Sequence, residues 1–172
     1  MTDHISSMTL WHNFSLLMHI LALAMWLGAM LFFLIVYGPA VHQLKPELGL
    51  DLLNRGRIKF EALSWVAIGL LLITGMSNLV LRSQSVGGHL GQQYLTVLGI
   101  KLLLFLAMLV HHALQVFKYG PKIAFSTPAI TGATETWPEP LRAHWSKWFM
   151  LLKLNATLGA IATLLGLALI SR

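Results

Sequence analysis

FSLLMHILALAMWLGAMLFFLIVY, residues 14–37, decides the fold: apart from Ser15 and His19 it is an unbroken apolar run. A bilayer core of roughly 30 Å is crossed by about 20 helical residues. Hydrocarbon offers nothing to an unpaired backbone N–H or C=O, so such a run crosses as a helix. Working outward, three further runs have the same character, residues 62–81, 94–117 and 148–170. The third span contains Lys101, His111 and His112, and the fourth contains Lys153 and Asn155. The expectation is an all-α integral membrane four-helix bundle, a single membrane domain over residues 1–172.

Composition agrees. The chain is 56% hydrophobic and 10% charged, with a mean hydropathy of +0.71. A soluble domain carries about 25% charged residues because its surface must be solvated. The net charge of +6 lies mostly in two segments between apolar runs, a headgroup and topology pattern that argues against nucleic acid. Cysteine is absent, which excludes a disulfide framework, a thiolate metal site and a thiol nucleophile. No cytosolic domain, sequence repeat or low-complexity tract is read. Residues 1–13 contain no Lys or Arg, so the first run reads as a retained helix and not a signal peptide.

Basic residues set the orientation. The first loop holds Lys45, Arg55, Arg57 and Lys59, and the third holds Lys118, Lys122, Arg142 and Lys147. The second loop has only Arg82, and Arg172 ends the sequence. The positive-inside rule makes the first and third loops cytoplasmic and both termini periplasmic. Trp137, Trp145 and Trp148 suit an interfacial segment on the cytoplasmic leaflet.

Ionisable groups inside a span are costly and mark candidate sites. Depth from helical rise sorts them into an outer layer of His19, Met76, Asn78 and Lys101 and an inner layer of His111, His112 and Lys153. Glu61 and His42 are candidates to join the inner layer. Helical phase puts Lys101, Phe105, Met108 and His112 on one stripe, turning His111 aside. Ser64, Ile68, Leu71, Gly75 and Asn78 share a stripe of the second span, and Asn155, Gly159 and Gly166 form a small-residue seam. His4, Met8, His12 and His19 fall roughly on one face of a continuous helix, and imidazole with thioether suits copper. Each has a plainer alternative: Lys101 and Lys153 as snorkelling anchors, the methionines as packing, His4 to His12 as a polar arm. His19 and His112 are predicted to lie about 20 Å apart along the normal, which excludes their ligating one iron. His19 with Met76 offers an outer His/Met site, and His112 an inner one with His42 or His144.

Several of these segments resemble a known family. His19-Ile-Leu-Ala-Leu-Ala-Met-Trp26-Leu-Gly28 resembles the opening helix of CopD-type copper-resistance membrane proteins and of the related HemJ-type protoporphyrinogen oxidases. Gly69-Leu-Leu-Leu-Ile-Thr74-Gly75 is similar to the Thr-Gly ending of the second CopD helix. Gly99-Ile-Lys101-Leu102 with His111-His112 resembles the third helix of both groups, and Lys153-Leu-Asn155 echoes the fourth. The CopD resemblance implies copper transport or tolerance at the bacterial inner membrane. The HemJ resemblance implies a haem-b oxidoreductase in which His19 and Lys101 carry over. Residues 32–40 lack the Arg of the HemJ pattern, and Ala156 replaces its acidic residue after Asn155, so the CopD pattern is the nearer.

The leading expectation is a CopD-like protein moving or tolerating copper, with metal ligands among His19, Met76, His12, Met8 and His112. The alternative is a haem-b protein, an electron carrier or porphyrinogen oxidase, whose cofactor is held by His19, Lys101, Asn78 and His112. A third reading is a membrane docking subunit. No catalytic residue is assigned. The expected partners are the lipid bilayer and a homo-oligomer or larger membrane complex.

Overall fold

The structure, a computed structural model, describes residues 2–127, 137 and 139–170, with residues 2–8 and 168–170 described as backbone only. Four helical spans are long and apolar enough to cross a membrane: Thr9–His42, Pro46–Ser85, Gln92–Ser126 and Glu139–Leu167. They form an all-α bundle of two antiparallel hairpins. Large apolar side chains such as Ile73, Leu103, Phe117 and Leu164 cover its exterior, as a lipid-facing surface requires.

The first span is helix α1 (Thr2–Phe32), a π-helical turn (Phe33–Tyr37) and a short helix α2 (Gly38–His42). Proline explains the π turn. Pro39 has no N–H, and in a regular helix its ring would collide with the carbonyl four residues earlier. The chain widens instead, and the Gly38 N–H donates to the Phe33 carbonyl. The return is α3 (Pro46–Ser85), with Pro46 at the first helical position and Glu47 in the first turn, both favoured there. Its length of 40 residues is about 60 Å, well beyond the bilayer core. It ends before Gly87 and Gly88, whose φ of +62° and +82° turns the chain where a β-carbon would be strained.

The second hairpin repeats the device. Helix α4 (Gln92–Ala113) runs into a π turn (Leu114–Tyr119) and then α5 (Gly120–Ser126), where the Gly120 N–H donates to Gln115 and Pro121 follows. The return is α6 (Glu139–Ile170). Tyr37-Gly38-Pro39 and Tyr119-Gly120-Pro121 are thus corresponding points of two similar hairpins, a short duplication not expected from the sequence. The two glycines pack crosswise. Gly38 lies against Phe149 of α6, and Gly120 against the guanidinium of Arg57 of α3.

The core lies mostly toward this Gly-Pro end. Trp26, Met30, Phe33, Phe60, Trp145 and Trp148 are buried in it, with Phe33 and Phe60 rings both meeting Trp148. On α4 the buried residues are Met108 and His112 alone. Toward the opposite end, where His19 sits, buried side chains become few.

Two expectations are corrected. The helices outrun the predicted spans 14–37, 62–81, 94–117 and 148–170 because polar turns continue them past the hydrocarbon. The first loop is consequently only a few residues long, and Arg55, Arg57 and Lys59 lie on α3. Arg57 is no loop residue at all, being 4% exposed and paired inside the bundle.

Candidate functional site

His19 and Lys101 each stand nineteen residues before the glycine of their own Tyr-Gly-Pro turn, so the two hairpins present them at corresponding heights. His19 Nδ1 is 2.8 Å from Thr74 Oγ1. The Thr74 hydroxyl donates its one proton to the Leu70 carbonyl at 2.6 Å. Thr74 can then only accept from His19, which fixes the proton on Nδ1 and leaves the Nε2 lone pair free. Gly75 packs beneath the same ring, where a β-carbon would sit in ordinary contact 3.5 Å from His19 Cε1. The Thr-Gly pair ending the second apolar run is therefore the seat of the imidazole. Ser15, one turn earlier on α1, adds a bond to the Thr74 carbonyl at 3.4 Å.

Lys101 reaches across the second hairpin. Its ammonium lies 3.1 Å from where a Gly166 β-carbon would be, so the small-residue seam of α6 serves as its groove. The ammonium is close enough to act electrostatically on His19. Among the described residues no carboxylate pairs with it. An anion is the natural partner for such a charge.

The other predicted ligands are placed as follows. Met76 is 64% exposed and lines a groove on the lipid side with Trp11, turned away from the Thr74–Gly75 face that carries His19. Two residues along a helix turn the side chain by about 200°, which is why equal depth did not bring Met76 to His19. The Asn78 Oδ1 and His12 Nδ1 atoms are buried without a hydrogen-bond partner among the described residues. Met8, like His4, lies outside the residues described with side chains. No group of three His, Cys, Asp or Glu side chains that could hold a metal ion occurs among the described residues. Lys153 is exposed on the bundle exterior, the position of an anchor.

His112 is 1% exposed and faces the bundle, while His111 turns to α6. The rings of Trp26, Phe60 and Trp65 surround His112, the nearest at 5.0 Å. Neither His42 nor His144 reaches it; His42 stacks near Trp137 and His144 near Tyr119. His111 Nδ1 donates to Asn155 Oδ1 at 3.0 Å, and the Asn155 amide in turn donates to the Met108 carbonyl. Trp26 touches His112 and is seven residues, about 10 Å, beyond His19. The two imidazoles belong to separate layers, with Trp26 meeting the His112 ring.

Beside His112 lies a polar cluster that the sequence reading did not assemble. Arg57 Nη1 donates to both Glu61 oxygens, at 2.8 and 2.9 Å, and Arg57 Nε and Nη2 donate to Asn54. Trp148 Nε1 donates to Glu61 at 3.2 Å, and Gln115 Nε2 to the Trp148 carbonyl. An Arg and a Glu four residues apart at the edge of an apolar run was the available signal.

Compared with protein-family models, curated proteins and solved structures, the chain finds no match.

Proposed function

We propose that this protein holds haem b between its two hairpins and serves as a membrane oxidoreductase or electron carrier. The observation that carries the reading is the His19 imidazole, its Nδ1–H committed to Thr74 and its Nε2 free, beside a Lys101 cation that no carboxylate pairs with among the described residues. A second-sphere acceptor on the far nitrogen is what orients a metal-ligating imidazole. His19 would hold the haem iron through Nε2, and Lys101 would balance the negative charge of the haem. Bound there, the haem iron supplies one-electron chemistry. The chain's part is to seat the ligand through Thr74 and Gly75, balance charge through Lys101, and exclude water with the packed layer around Trp26. The HemJ-like segments support the same two residues.

Copper transport or tolerance is the second reading, favoured by one observation: His12 Nδ1, on the helix that carries His19, is buried with no hydrogen-bond partner among the described residues. Met8 would complete such a path. Against it, Met76 faces outward, and Lys101 would repel a cation near His19. We place the chain in the bacterial inner membrane with both termini periplasmic, on the support of the Lys and Arg clustered at the Gly-Pro end.

Absorbance and metal content of the purified protein test this. Haem b is expected, with a Soret band lost in His19→Ala and weakened in Lys101→Met. Copper without haem, lost in His19→Ala, would establish the second reading. Neither cofactor would leave a docking role.

A further inference from the structure

The two hairpins treat their cations differently at the Gly-Pro end. On α3, Arg55 pairs with Asp51 and Arg57 with Glu61, both at 2.8 Å. On the second hairpin, among the described residues, only Arg142 approaches a carboxylate, that of Glu139 at 3.9 Å. Lys118, Lys122 and Lys147 are exposed and make no ion pair among the described residues. They are also gathered. Lys118 Nζ lies 5.7 Å from the centre of the Tyr119 ring, and that ring is 6.4 Å from the imidazole of His144. Lys122 and Lys147 are both near enough to His144 to act on it electrostatically. Helix α5 packs on α6 with Gly120 and Ile123 buried, which leaves Lys122 on the outer side. His144 and Lys147, three residues apart on α6, share a face.

The height of this group is that of lipid headgroups. Lys118 directly follows the apolar run 94–117, and Lys147 directly precedes the run 148–170. Lys122 and His144 lie about one turn, roughly 5 Å, farther out. Phe117 and Phe125 flank the cations and are 70% and 88% exposed. Exposed apolar rings beside exposed cations suit the boundary between headgroups and acyl chains. Cations gathered without a counter-charge repel one another, and one phosphate offsets several of them. A lipid phosphate is held at this height by acyl chains that Phe117 and Phe125 can meet, whereas a free phosphate has no use for either ring.

We propose that α5 and the start of α6 form a binding site for an anionic phospholipid, its phosphate taken by Lys118, Lys122 and Lys147 and its acyl chains lying against Phe117 and Phe125. The rings of Tyr119 and His144 stand between the cations. Charge complementarity selects the headgroup: a zwitterionic lipid brings its own cation to the same lysines and is disfavoured. The first hairpin offers no equivalent, because the carboxylates of Asp51 and Glu61 already answer its arginines. The site lies at the end of the bundle opposite His19, so the inference stands whichever cofactor, if any, His19 binds.

The test is native mass spectrometry of the full chain released from detergent micelles, titrated with dioleoyl phosphatidylglycerol or dioleoyl phosphatidylcholine, which differ only in the headgroup. Phosphatidylglycerol is expected to bind roughly tenfold more tightly than phosphatidylcholine. Lys122→Gln and Lys147→Gln are each expected to weaken phosphatidylglycerol about fivefold, the worth of one cation at a charged surface, and to leave phosphatidylcholine unchanged. Both lysines are exposed, and an unaltered thermal midpoint shows that the variants are folded. Lys45→Gln and Lys59→Gln on the first hairpin are expected to change neither lipid by more than about twofold. Equal wild-type affinity for the two lipids would overturn the proposal. So would equal losses on the two hairpins, which would mean attraction to net charge without a site. Displacement of the lipid by excess inorganic phosphate would make this a free-phosphate site and overturn the lipid assignment.

Discussion

His19 Nδ1 and Thr74 Oγ1 lie 2.8 Å apart, and the direction of their hydrogen bond is fixed because the Thr74 hydroxyl donates to Leu70. One backbone carbonyl of α3 thus determines which nitrogen of an α1 imidazole is left for chemistry. Replacing Thr74 by Val removes the acceptor while keeping the shape. Loss of a second-sphere partner typically costs 10–100-fold in metal affinity. Thr74→Val is expected to weaken cofactor retention by about that factor, and Thr74→Ser to keep it near wild type. Haem and copper titrations of the two purified variants measure this. Equal retention in both would mean that Thr74 only packs.

Gly120 leaves room for a guanidinium. A β-carbon there would be 2.7 Å from Arg57 Nη1, the nitrogen that donates to both oxygens of Glu61. The side chain is long, but its far end is held by Glu61 and Asn54 and cannot swing away without leaving a buried carboxylate unpaired. Breaking a buried pair costs about 3–5 kcal/mol, and a partial shift less. Gly120→Ala is expected to destabilise by about 1–3 kcal/mol, more than Gly38→Ala, whose β-carbon meets the Phe33 carbonyl and the Phe149 ring at 3.0 and 3.4 Å. Denaturation midpoints of the two variants in the same detergent compare them. A larger loss at Gly38 would put the critical packing at the other hairpin.

The parts of this architecture that depend on hydropathy and phase were legible in the sequence. Four apolar runs gave four spans, and the spacing of Lys101, Phe105, Met108 and His112 put Met108 and His112 on the buried side of α4. Depth alone misled at Met76, because two residues at one height on a helix need not share a face. Arg57 was illegible for another reason. Charge near the end of an apolar run is read as loop, and only the fold shows that α3 begins eleven residues earlier at Pro46. The π turns depend on proline, yet Tyr37-Gly38-Pro39 and Tyr119-Gly120-Pro121 are too short to register as a repeat until both are seen packing crosswise. Thr74 and Gly75 were visible as a motif, while the part played by Thr74 required the imidazole it bonds.

His111 and Asn155 clamp α4 to α6 through a 3.0 Å bond, with the Asn155 amide held on the Met108 carbonyl. Polar contacts between transmembrane helices are worth about 0.6 kcal/mol on average and at most about 1.7. A double-mutant cycle of His111→Leu and Asn155→Leu is expected to give a coupling of about that size. His112→Leu is expected to behave differently, adding to Asn155→Leu without coupling, since His112 faces Trp26, Phe60 and Trp65. Coupling of Asn155 to His112 in place of His111 would mean that α4 is rotated by about one residue from the orientation described.

Orientation follows from where the exposed cations lie once Arg57 is taken out of the count. Arg55, 75% exposed and paired with Asp51, lies toward the Gly-Pro end of α3 with Lys45 and Lys59, and Lys118, Lys122, Arg142 and Lys147 stand at the same end of the second hairpin. The turn between α3 and α4 has only Arg82 nearby. The rule counts cations close to the span ends and gives acidic neighbours little weight, so the Asp51 partner of Arg55 does not cancel it. Losing Arg57 therefore leaves the asymmetry in place. Alkaline phosphatase, active only in the periplasm, is expected to be active when fused after Gly87 or after Arg172 and inactive after Leu44. The reverse pattern would turn the bundle over. His19 and Lys101 would then face the cytoplasm.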